Sequence, residues 1–252
     1  MLDSTQERLC AENTTDYSDL KAMIVNCTLK RGDEPSHTDT LLDQVHTIFE
    51  KVGVSVDRMR AVNHDIAPGV YPDMTEHGAD HDEWPQIWPR VKAADILVIG
   101  TPIWLGEKSS IAQGLIEKLY AHSAQTNDKG QYVFYGKVGG CIVTGNEDGI
   151  KHVSAGVLYA MSHVGYTIPP QADAGWIGEA GPGPSYGDEM DDGSRAGFDN
   201  NFTRQNTTFA TWNMLHMARM LKDAGGLPAY GNSQELWSDG MRFGSPDPQH
   251  RS

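Results

Sequence analysis

The feature that most constrains the fold is the stretch Ala94–Gly106, ADILVIGTPIWLG, which joins an aliphatic run to a loop of unusual composition. The run Ile96–Ile99 is unbroken, rich in branched side chains and too short to span a membrane, which is typical of a strand covered on both faces. Such a strand predicts a parallel sheet with helices on each side. Pro102 ends the strand pairing, so Trp104 follows at the carboxyl edge of the sheet, where ligands bind in open α/β folds.

Length and composition fit one α/β domain with additions. The chain has 252 residues, of which 38% are hydrophobic, and its polar start has no signal-peptide pattern, so we expect a cytoplasmic protein. The formal net charge of −14 disfavours a nucleic acid or an anionic membrane as the main partner. Three widely spaced cysteines indicate neither a disulfide framework nor a cysteine metal site, and each is interpreted as a small apolar residue.

The periodic segments divide the chain into three parts. Residues 1–20 are polar and lack periodicity, which predicts a flexible N-terminal arm. Residues 21–224 alternate short apolar runs with amphipathic helices, and strands are predicted over 21–27, 54–59, 96–99, 137–144 and 166–168. Residues 225–252 are a C-terminal extension, whose exposed apolar side chains are available to a neighbouring subunit.

The first predicted strand leads through a hydroxyl-rich loop into a helix, and Ser36 with Asp39 resembles a capping box. The first turn of a helix leaves backbone N–H groups unpaired and carries partial positive charge, which favours a bound phosphate. The hydroxyls of Thr28, Ser36 and Thr38 would complete the cradle, with Lys30 or Arg31 nearby, although a plain helix cap explains the loop equally well. The absence of Walker A and G-x-G-x-x-G motifs favours a mononucleotide.

An acidic, histidine-containing segment over residues 76–83 has two interpretations. It resembles a metal cluster, but Gly78 argues against a helix that would bring His77 and His81 to one face. We therefore favour a solvated acidic loop in which Asp82 caps the next helix, and we predict no metal site.

The segment Gln171–Ser194 is predicted to be a long loop rich in glycine and proline. Trp176 and Tyr186 in this loop either cover a ligand or a subunit contact, or the loop is disordered. A last amphipathic helix follows, with an apolar face that includes Phe209, Trp212, Leu215, His216, Met220 and Leu221. His216 is interpreted as a core or interface residue rather than a catalyst.

Three loops together resemble those of the flavodoxin-like NADPH-dependent FMN reductases, the group that includes multimeric flavodoxin-type quinone reductases. The loops are Thr28-Leu29-Lys30 with Ser36-His37-Thr38, then Thr101–Gly106, then Thr144–Gly149. The resemblance covers about residues 20–222. It implies a flavodoxin-like three-layer α/β sandwich with a five-stranded parallel sheet in the order 2-1-3-4-5.

By matching position, the resemblance implies that the first loop holds the FMN phosphate, the second lies against the isoalloxazine ring and the third borders the polar edge of the ring. The implied cofactor-binding residues are Thr28, Lys30, Ser36, His37, Thr38, Pro102, Ile103, Trp104, Leu105, Gly106, Thr144, Gly145, Asn146, Asp148 and Gly149. Trp104 either stacks on the ring or only packs, and His37 is either a ligand or a surface residue. The acidic pair Asp33-Glu34 departs from the family pattern and is expected to point to solvent.

The implied activity is that of an FMN-dependent oxidoreductase that accepts hydride from NADPH or NADH and reduces a quinone, free flavin or similar small molecule. The family implies a homodimer or homotetramer. Because the flavin supplies the redox chemistry, no catalytic side chain is assigned. The alternative is a flavodoxin-like electron carrier without NAD(P)H activity of its own. A receiver domain is disfavoured because the end of the first strand lacks an acidic cluster.

Overall fold

A parallel β-sheet with helices on both faces forms the protein. The structure, a computed structural model, describes residues 2–181 and 183–244. The strands are β1 Lys21–Asn26, β2 Ser55–Arg60, β3 Ile96–Trp104, β4 Glu107–Lys108, β5 Val138–Gly145 and β6 Asp173–Ile177. The helices are α1 Ser4–Glu12, α2 His37–Lys51, α3 Trp84–Ala93, α4 Ser110–Tyr120, α5 Ile150–Val164, α6 Asn201–Asp223 and α7 Gln234–Ser238. Short 3₁₀ turns lie at Ala61–Asn63 and Met74–His77.

The strand order is β2-β1-β3-β5-β6, and every neighbouring pair in this series is parallel. The two-residue β4 lies outside the series and pairs antiparallel with the end of β3. The five parallel strands therefore have the predicted order 2-1-3-4-5, and the flavodoxin-like fold is confirmed. In this topology the carboxyl ends of β1, β3 and β5 meet at one edge, where the strand order reverses.

Alternate residues of the central strands point into two separate apolar layers. Ile24 and Val98 belong to the layer that holds α2 and α6, whereas Val25 and Leu97 belong to the layer that holds α3, α4 and α5. Both layers are buried, which explains why these strands read as continuous aliphatic runs. The three cysteines, Cys10, Cys27 and Cys141, are free thiols buried in these layers, as interpreted from the sequence.

The expectation of an N-terminal arm without regular structure is wrong, because residues 4–12 form α1. Asp3 accepts a hydrogen bond from the Gln6 amide at 2.8 Å, and the Gln6 side chain accepts one from the Asp3 amide at 3.0 Å, which makes a complete capping box. The same Gln6 is buried and donates to Gln44 at 3.2 Å and Thr208 at 2.9 Å. Polar side chains thus attach α1 to α2 and α6. Contacts of this kind cannot be detected from the periodicity of apolar residues in the sequence.

The last strand of the sheet does not lie at residues 166–168. Thr167 forms only an isolated bridge with Val138, and the fifth parallel strand is β6, inside the segment predicted to be a loop. Ala174 and Trp176 of β6 point into the α2 and α6 layer. In β6 the two inward-facing residues are separated by Gly175, and glycine-rich segments flank the strand. The alternation of apolar and other residues is therefore too short to be recognised in the sequence.

The buried face of helix α6 matches the predicted one only in part, since Leu215 and Leu221 are buried as predicted. The rest of the face on the sheet consists largely of small residues, because Thr203, Thr207, Ala210, Thr211 and Ala218 are buried together with Met214. Phe209, His216 and Met220 are exposed instead, and His216 shares a 2.8 Å hydrogen bond with the hydroxyl of Tyr17. Threonine and alanine let the helix approach the strands closely, so the buried face is not the most apolar one.

The acidic segment before α3 is anchored rather than solvated at Asp82. This carboxylate is buried and lies 2.6 Å from the ammonium of Lys118, which is also buried. It accepts the Trp84 amide at 3.0 Å, as expected of a helix start, and also the amides of Ala67 and Met74. Within the described residues there is no group of three or more potential metal ligands.

The C-terminal extension is described as far as residue 244, and its remainder lies outside the described residues. The start of α7 is attached to this chain itself, since the amide of Gln234 and the hydroxyl of Ser233 both donate to the carbonyl of Gly130. Trp237 and Phe243 remain exposed. No helix in residues 2–181 and 183–244 combines the length and the apolar character needed to cross a bilayer.

Candidate functional site

One cavity of about 550 Å³ lies at the carboxyl edge of the sheet, where β1, β3 and β5 end. Its lining consists of Thr28, Lys30, Ser36, His37, Thr38, Pro102, Ile103, Trp104, Thr144, Gly145, Asn146, Glu147, Ala180, Gly181, Ser185 and Tyr186. Eleven of these residues are among the fifteen that the resemblance implied. The three loops that carry the resemblance therefore converge on one crevice.

The first wall of the cavity is the start of α2. Ser36 is the N-cap, and its hydroxyl accepts hydrogen bonds from the Asp39 amide and the Asn26 side chain, both at 3.2 Å. The side-chain oxygen Oδ1 of Asn26 in turn accepts a hydrogen bond from the Thr28 amide at 3.0 Å, so the end of β1 holds the loop to the helix. The remaining first-turn amides of α2 have no intrahelical acceptors, which makes this wall suited to an anion.

The charged side chains of the first loop are engaged within the loop or exposed, and the Lys30 ammonium lies 3.9 Å from the Glu34 carboxylate. Lys30 donates to the carbonyl of Pro35 at 2.8 Å, so its ammonium is folded back on the loop. Asp33 and Glu34 are exposed, as expected. The carboxylate of Asp39, which lies in the first turn of α2, is paired with two arginines of β2.

The ion pairs of Asp39 with the two arginines determine how much negative charge lies at the start of α2. Arg58 lies 2.6 Å and Arg60 lies 3.0 Å from the Asp39 carboxylate. Burial raises the pKa of Asp39, but hydrogen bonds and charge from the two arginines outweigh this effect and lower the pKa overall. The carboxylate is therefore ionised and neutralised, and it does not compete with an anion for the positive end of α2.

The second wall is the end of β3 and the hairpin turn that joins it to β4. Pro102, Ile103 and Trp104 line the cavity, and Trp104 is 43% exposed. Leu105 and Gly106 form the two-residue turn with φ angles of 51° and 76°, and neither lines the cavity. The second loop thus contributes a flat apolar surface through Trp104, while its turn only supports that surface.

The third wall follows β5. The hydroxyls of Thr144 and Thr38 lie 2.7 Å apart, which joins this wall directly to the helix start. Asp148 and Gly149 are not in the lining. Gly149 is the N-cap of α5 and faces the hairpin turn, since a β-carbon on Gly149 would lie 2.7 Å from the Cα of Gly106.

Asn146 lies in the lining, but its polar atoms are engaged with the segment after β6. Its amide nitrogen donates to the carbonyl of Pro184 at 2.7 Å and to that of Gly183 at 3.3 Å. Its amide oxygen accepts the Ser185 hydroxyl at 3.1 Å. Asn146 therefore holds in place the segment after β6, which forms a fourth wall of the cavity.

The fourth wall contains Ala180, Gly181, Ser185 and Tyr186. Sequence reasoning considered Tyr186 as a cover for a ligand or a subunit contact, but it did not assign the other three, nor Glu147 of the third loop. Tyr186 is fully buried, its hydroxyl accepts from Gln44 at 2.6 Å, and its carbonyl lies 3.0 Å from Nδ1 of His37. Burial raises the pKa of Tyr186 to about 12, so the phenol is neutral at physiological pH. Trp176, its predicted companion, packs beneath it with ring centroids 5.6 Å apart.

The donor set fits a phosphate ester of a planar molecule. One end offers hydroxyls and helix amides, and the other offers Pro102, Ile103 and the face of Trp104. The ionisable side chains in the lining are Lys30, His37, Glu147 and Tyr186. This composition suits a cofactor that brings its own chemistry and needs to be oriented.

The fold and the pocket define a flavodoxin-like flavin-binding protein. The model of the NADPH-dependent FMN reductase family matches residues 20–176, which is more than half of the chain. The chain therefore belongs to the NADPH-dependent FMN reductase family, as the sequence resemblance predicted. The cofactor of this family is FMN, with NADPH or NADH as the electron donor.

Two curated relatives and one solved structure extend this result. The 8-demethyl-8-aminoriboflavin-5'-phosphate synthase of Streptomyces davaonensis is 38% identical over 209 residues, which cover 81% of this chain and 79% of the synthase. The crystal structure of RosB with its bound intermediate 8-demethyl-8-formylriboflavin-5'-phosphate has a TM-score of 0.75 and 32% identity. That match covers 92% of this chain and 95% of RosB.

The second curated relative is much longer than this chain. The divalent metal cation transporter MntH of Mycobacterium bovis is 57% identical over 206 residues, which cover 82% of this chain and 30% of the transporter. The similarity is thus confined to less than a third of that protein.

Proposed function

We propose that this protein is an FMN-dependent oxidoreductase that takes hydride from NADPH or NADH and passes the electrons to a quinone, free flavin or similar small molecule. The observation that supports it most is the convergence of the α2 start, Trp104 and the Thr144 wall on one crevice. FMN, when bound, supplies the redox chemistry. The protein contributes binding, orientation and a surface over the ring.

The proposed ligands follow the walls of the cavity. The phosphate interacts with the first-turn amides of α2 and with Thr28, Ser36 and Thr38, while His37 and Lys30 lie beside it. The ring lies against the surface of Pro102, Ile103 and Trp104. Asn146 contributes indirectly, by holding the fourth wall, rather than as a direct contact to the ring.

A direct test is the visible spectrum of the protein with FMN under anaerobic conditions, before and after addition of NADPH or NADH. A reductase bleaches the oxidised flavin band, and subsequent addition of a quinone or of free flavin restores it. An electron carrier binds FMN but leaves the band unbleached. A protein that neither binds FMN nor gains thermal stability from it would contradict both assignments, since saturation at 100 times the dissociation constant stabilises by about 2.7 kcal/mol.

The synthase relative supports a second candidate, in which a flavin 5'-phosphate is the substrate and is itself modified. The supporting observation is the 38% identity to the aminoriboflavin-phosphate synthase together with the RosB match over nearly the whole chain. Mass spectrometry of the flavin after incubation distinguishes the candidates. The oxidoreductase returns FMN at its original mass, whereas a flavin-modifying enzyme changes that mass.

A homodimer or homotetramer is part of the proposal. Phe202, Phe209 and Met220 of α6 support it, because large apolar side chains that are exposed in one copy are available to a neighbouring subunit. Light scattering of the purified protein measures the mass, and a monomer at micromolar concentration would contradict this part. Metal transport is not proposed, because the match to the transporter leaves most of that protein without a counterpart in this chain.

A further inference from the structure

The loop between β1 and α2 is held from outside the cavity by one side chain of β2. One terminal nitrogen of Arg60, Nη1, donates to the carbonyl oxygens of Gly32 at 2.7 Å, Glu34 at 2.8 Å and Lys30 at 3.3 Å. The other, Nη2, donates to Asp39 at 3.0 Å. Only 13% of the Arg60 side chain is exposed. A single guanidinium therefore joins the whole first loop to the first turn of α2.

The position of Arg60 follows from the sheet register. Arg60 ends β2 and pairs with Asn26, the residue that ends β1 and precedes the loop. Asn63, just beyond β2, accepts the Gly32 amide at 2.8 Å, and Gly32 adopts the left-handed conformation with φ of 59°. The end of β2 thus contacts both the carbonyl and the amide of the residue at which the loop reverses.

These contacts bear on phosphate binding because a backbone carbonyl oxygen repels a phosphate, whereas an amide attracts it. Arg60 engages three carbonyls of the loop at once, so they are not free to turn toward the cavity. We propose that Arg60 is a positioning residue, which sets the shape of the phosphate-binding loop without touching the flavin. This inference rests on the proposed function, since it assumes that the loop receives the phosphate of FMN.

Arg58 provides an internal control for the simpler view that Arg60 only neutralises Asp39. It lies on the same strand and pairs with the same carboxylate, at 2.6 Å, and its other contacts are the Asp39 carbonyl and Asp43. Within the described residues it makes no recorded hydrogen bond to the loop carbonyls of Lys30, Gly32 or Glu34. A role in charge neutralisation is shared by the two arginines, whereas a role in loop shape belongs to Arg60.

The test compares FMN with riboflavin, which lacks only the phosphate. Flavin fluorescence titrations of the flavin-free protein give both dissociation constants for the wild type, Arg60→Met and Arg58→Met. We expect Arg60→Met to lower the ratio of FMN affinity to riboflavin affinity by about tenfold or more, with riboflavin affinity nearly unchanged. Arg58→Met should leave the ratio within about twofold of the wild type.

The outcomes separate the inference from the proposed function. A wild type that binds both flavins equally would overturn the phosphate assignment and the inference together. A wild type that prefers FMN, with a ratio unchanged in Arg60→Met or lowered equally in Arg58→Met, would overturn the inference alone. If Arg60→Met does not fold, Arg60→Lys replaces it in the titrations. Lysine keeps the positive charge but cannot reproduce the planar fork of the guanidinium, so the ratio of FMN affinity to riboflavin affinity should still fall.

Discussion

The two ends of the pocket are held together in different ways. At the phosphate end, the start of α2 is set by contacts close in the chain: Ser36 caps Asp39 and binds Asn26, ten residues earlier. At the ring end, the walls are joined across long separations, since the Leu105 amide donates to Glu147 at 2.8 Å and Asn146 binds the carbonyl of Pro184. The cap of α2 is thus specified by local signals, and contacts from Arg60 and Thr144 add to it, whereas the ring end depends on tertiary contacts between loops.

This difference predicts that the ring end is the more sensitive to a change in backbone packing. We expect Gly149→Ala to lower the free energy of unfolding by about 3 kcal/mol, because its β-carbon would lie 2.7 Å from the Cα of Gly106 and its φ of 129° disfavours an L-residue. Urea unfolding of the flavin-free protein measures the effect. Gly114→Ala is the matched control: this glycine lies inside α4 with no atom within 4 Å of its ideal β-carbon. That substitution should stabilise by up to about 1 kcal/mol. Equal effects at the two sites would show that the close approach of Gly149 to Gly106 does not limit the residue at position 149.

The contact that links the two ends is the hydroxyl pair of Thr38 and Thr144, both buried. Thr38→Val should destabilise the flavin-free protein by about 2 kcal/mol, because it leaves the Thr144 hydroxyl without its partner. Replacing both threonines by valine should cost much less than the sum of the two single changes. A double-mutant cycle in urea measures the coupling. Additive effects would show that the two walls are independent.

At the phosphate end, the cap and the anion site can be separated at one position. Ser36→Ala removes the cap of α2 and should lower the free energy of unfolding by about 1 kcal/mol. Ser36→Asp keeps a capping oxygen, so stability should be largely retained, but its negative charge opposes the phosphate. In Ser36→Asp, FMN affinity should therefore fall relative to riboflavin affinity. Retained FMN preference in this variant would place the phosphate elsewhere.

The same contrast explains what the sequence could predict. The α2 cap follows from a local helix start signal, and the resemblance carried by three local loop motifs implied the strand order and eleven of the lining residues. The sequence left Tyr186 between a cover for a ligand or subunit contact and a disordered loop, because the position of its wall depends on Asn146 and His37, which lie far away in the chain. The same holds for α1, whose buried Gln6 finds its partners on α2 and α6.

The smallest expected effect concerns the hairpin turn at the ring end. Leu105 has φ of 51° and is 93% exposed, so its side chain gains little from packing while its backbone is strained. Leu105→Asn gives the turn the Asn-Gly sequence that a two-residue hairpin with two positive φ angles prefers. We expect the free energy of unfolding to rise by about 0.5–1 kcal/mol, with FMN affinity unchanged because Leu105 does not line the cavity.

Leu29→Asn is the control for this prediction at the phosphate end. Leu29 is also exposed, at 48%, but its φ is not positive, so the same substitution should change stability by less than about 0.5 kcal/mol. Thermal and urea unfolding compare the two variants. A stability loss in Leu105→Asn would mean that the leucine side chain makes a stabilising contact in solution, for example with a second copy of the chain. In that case the loss should depend on protein concentration, because a contact between copies stabilises only the associated form.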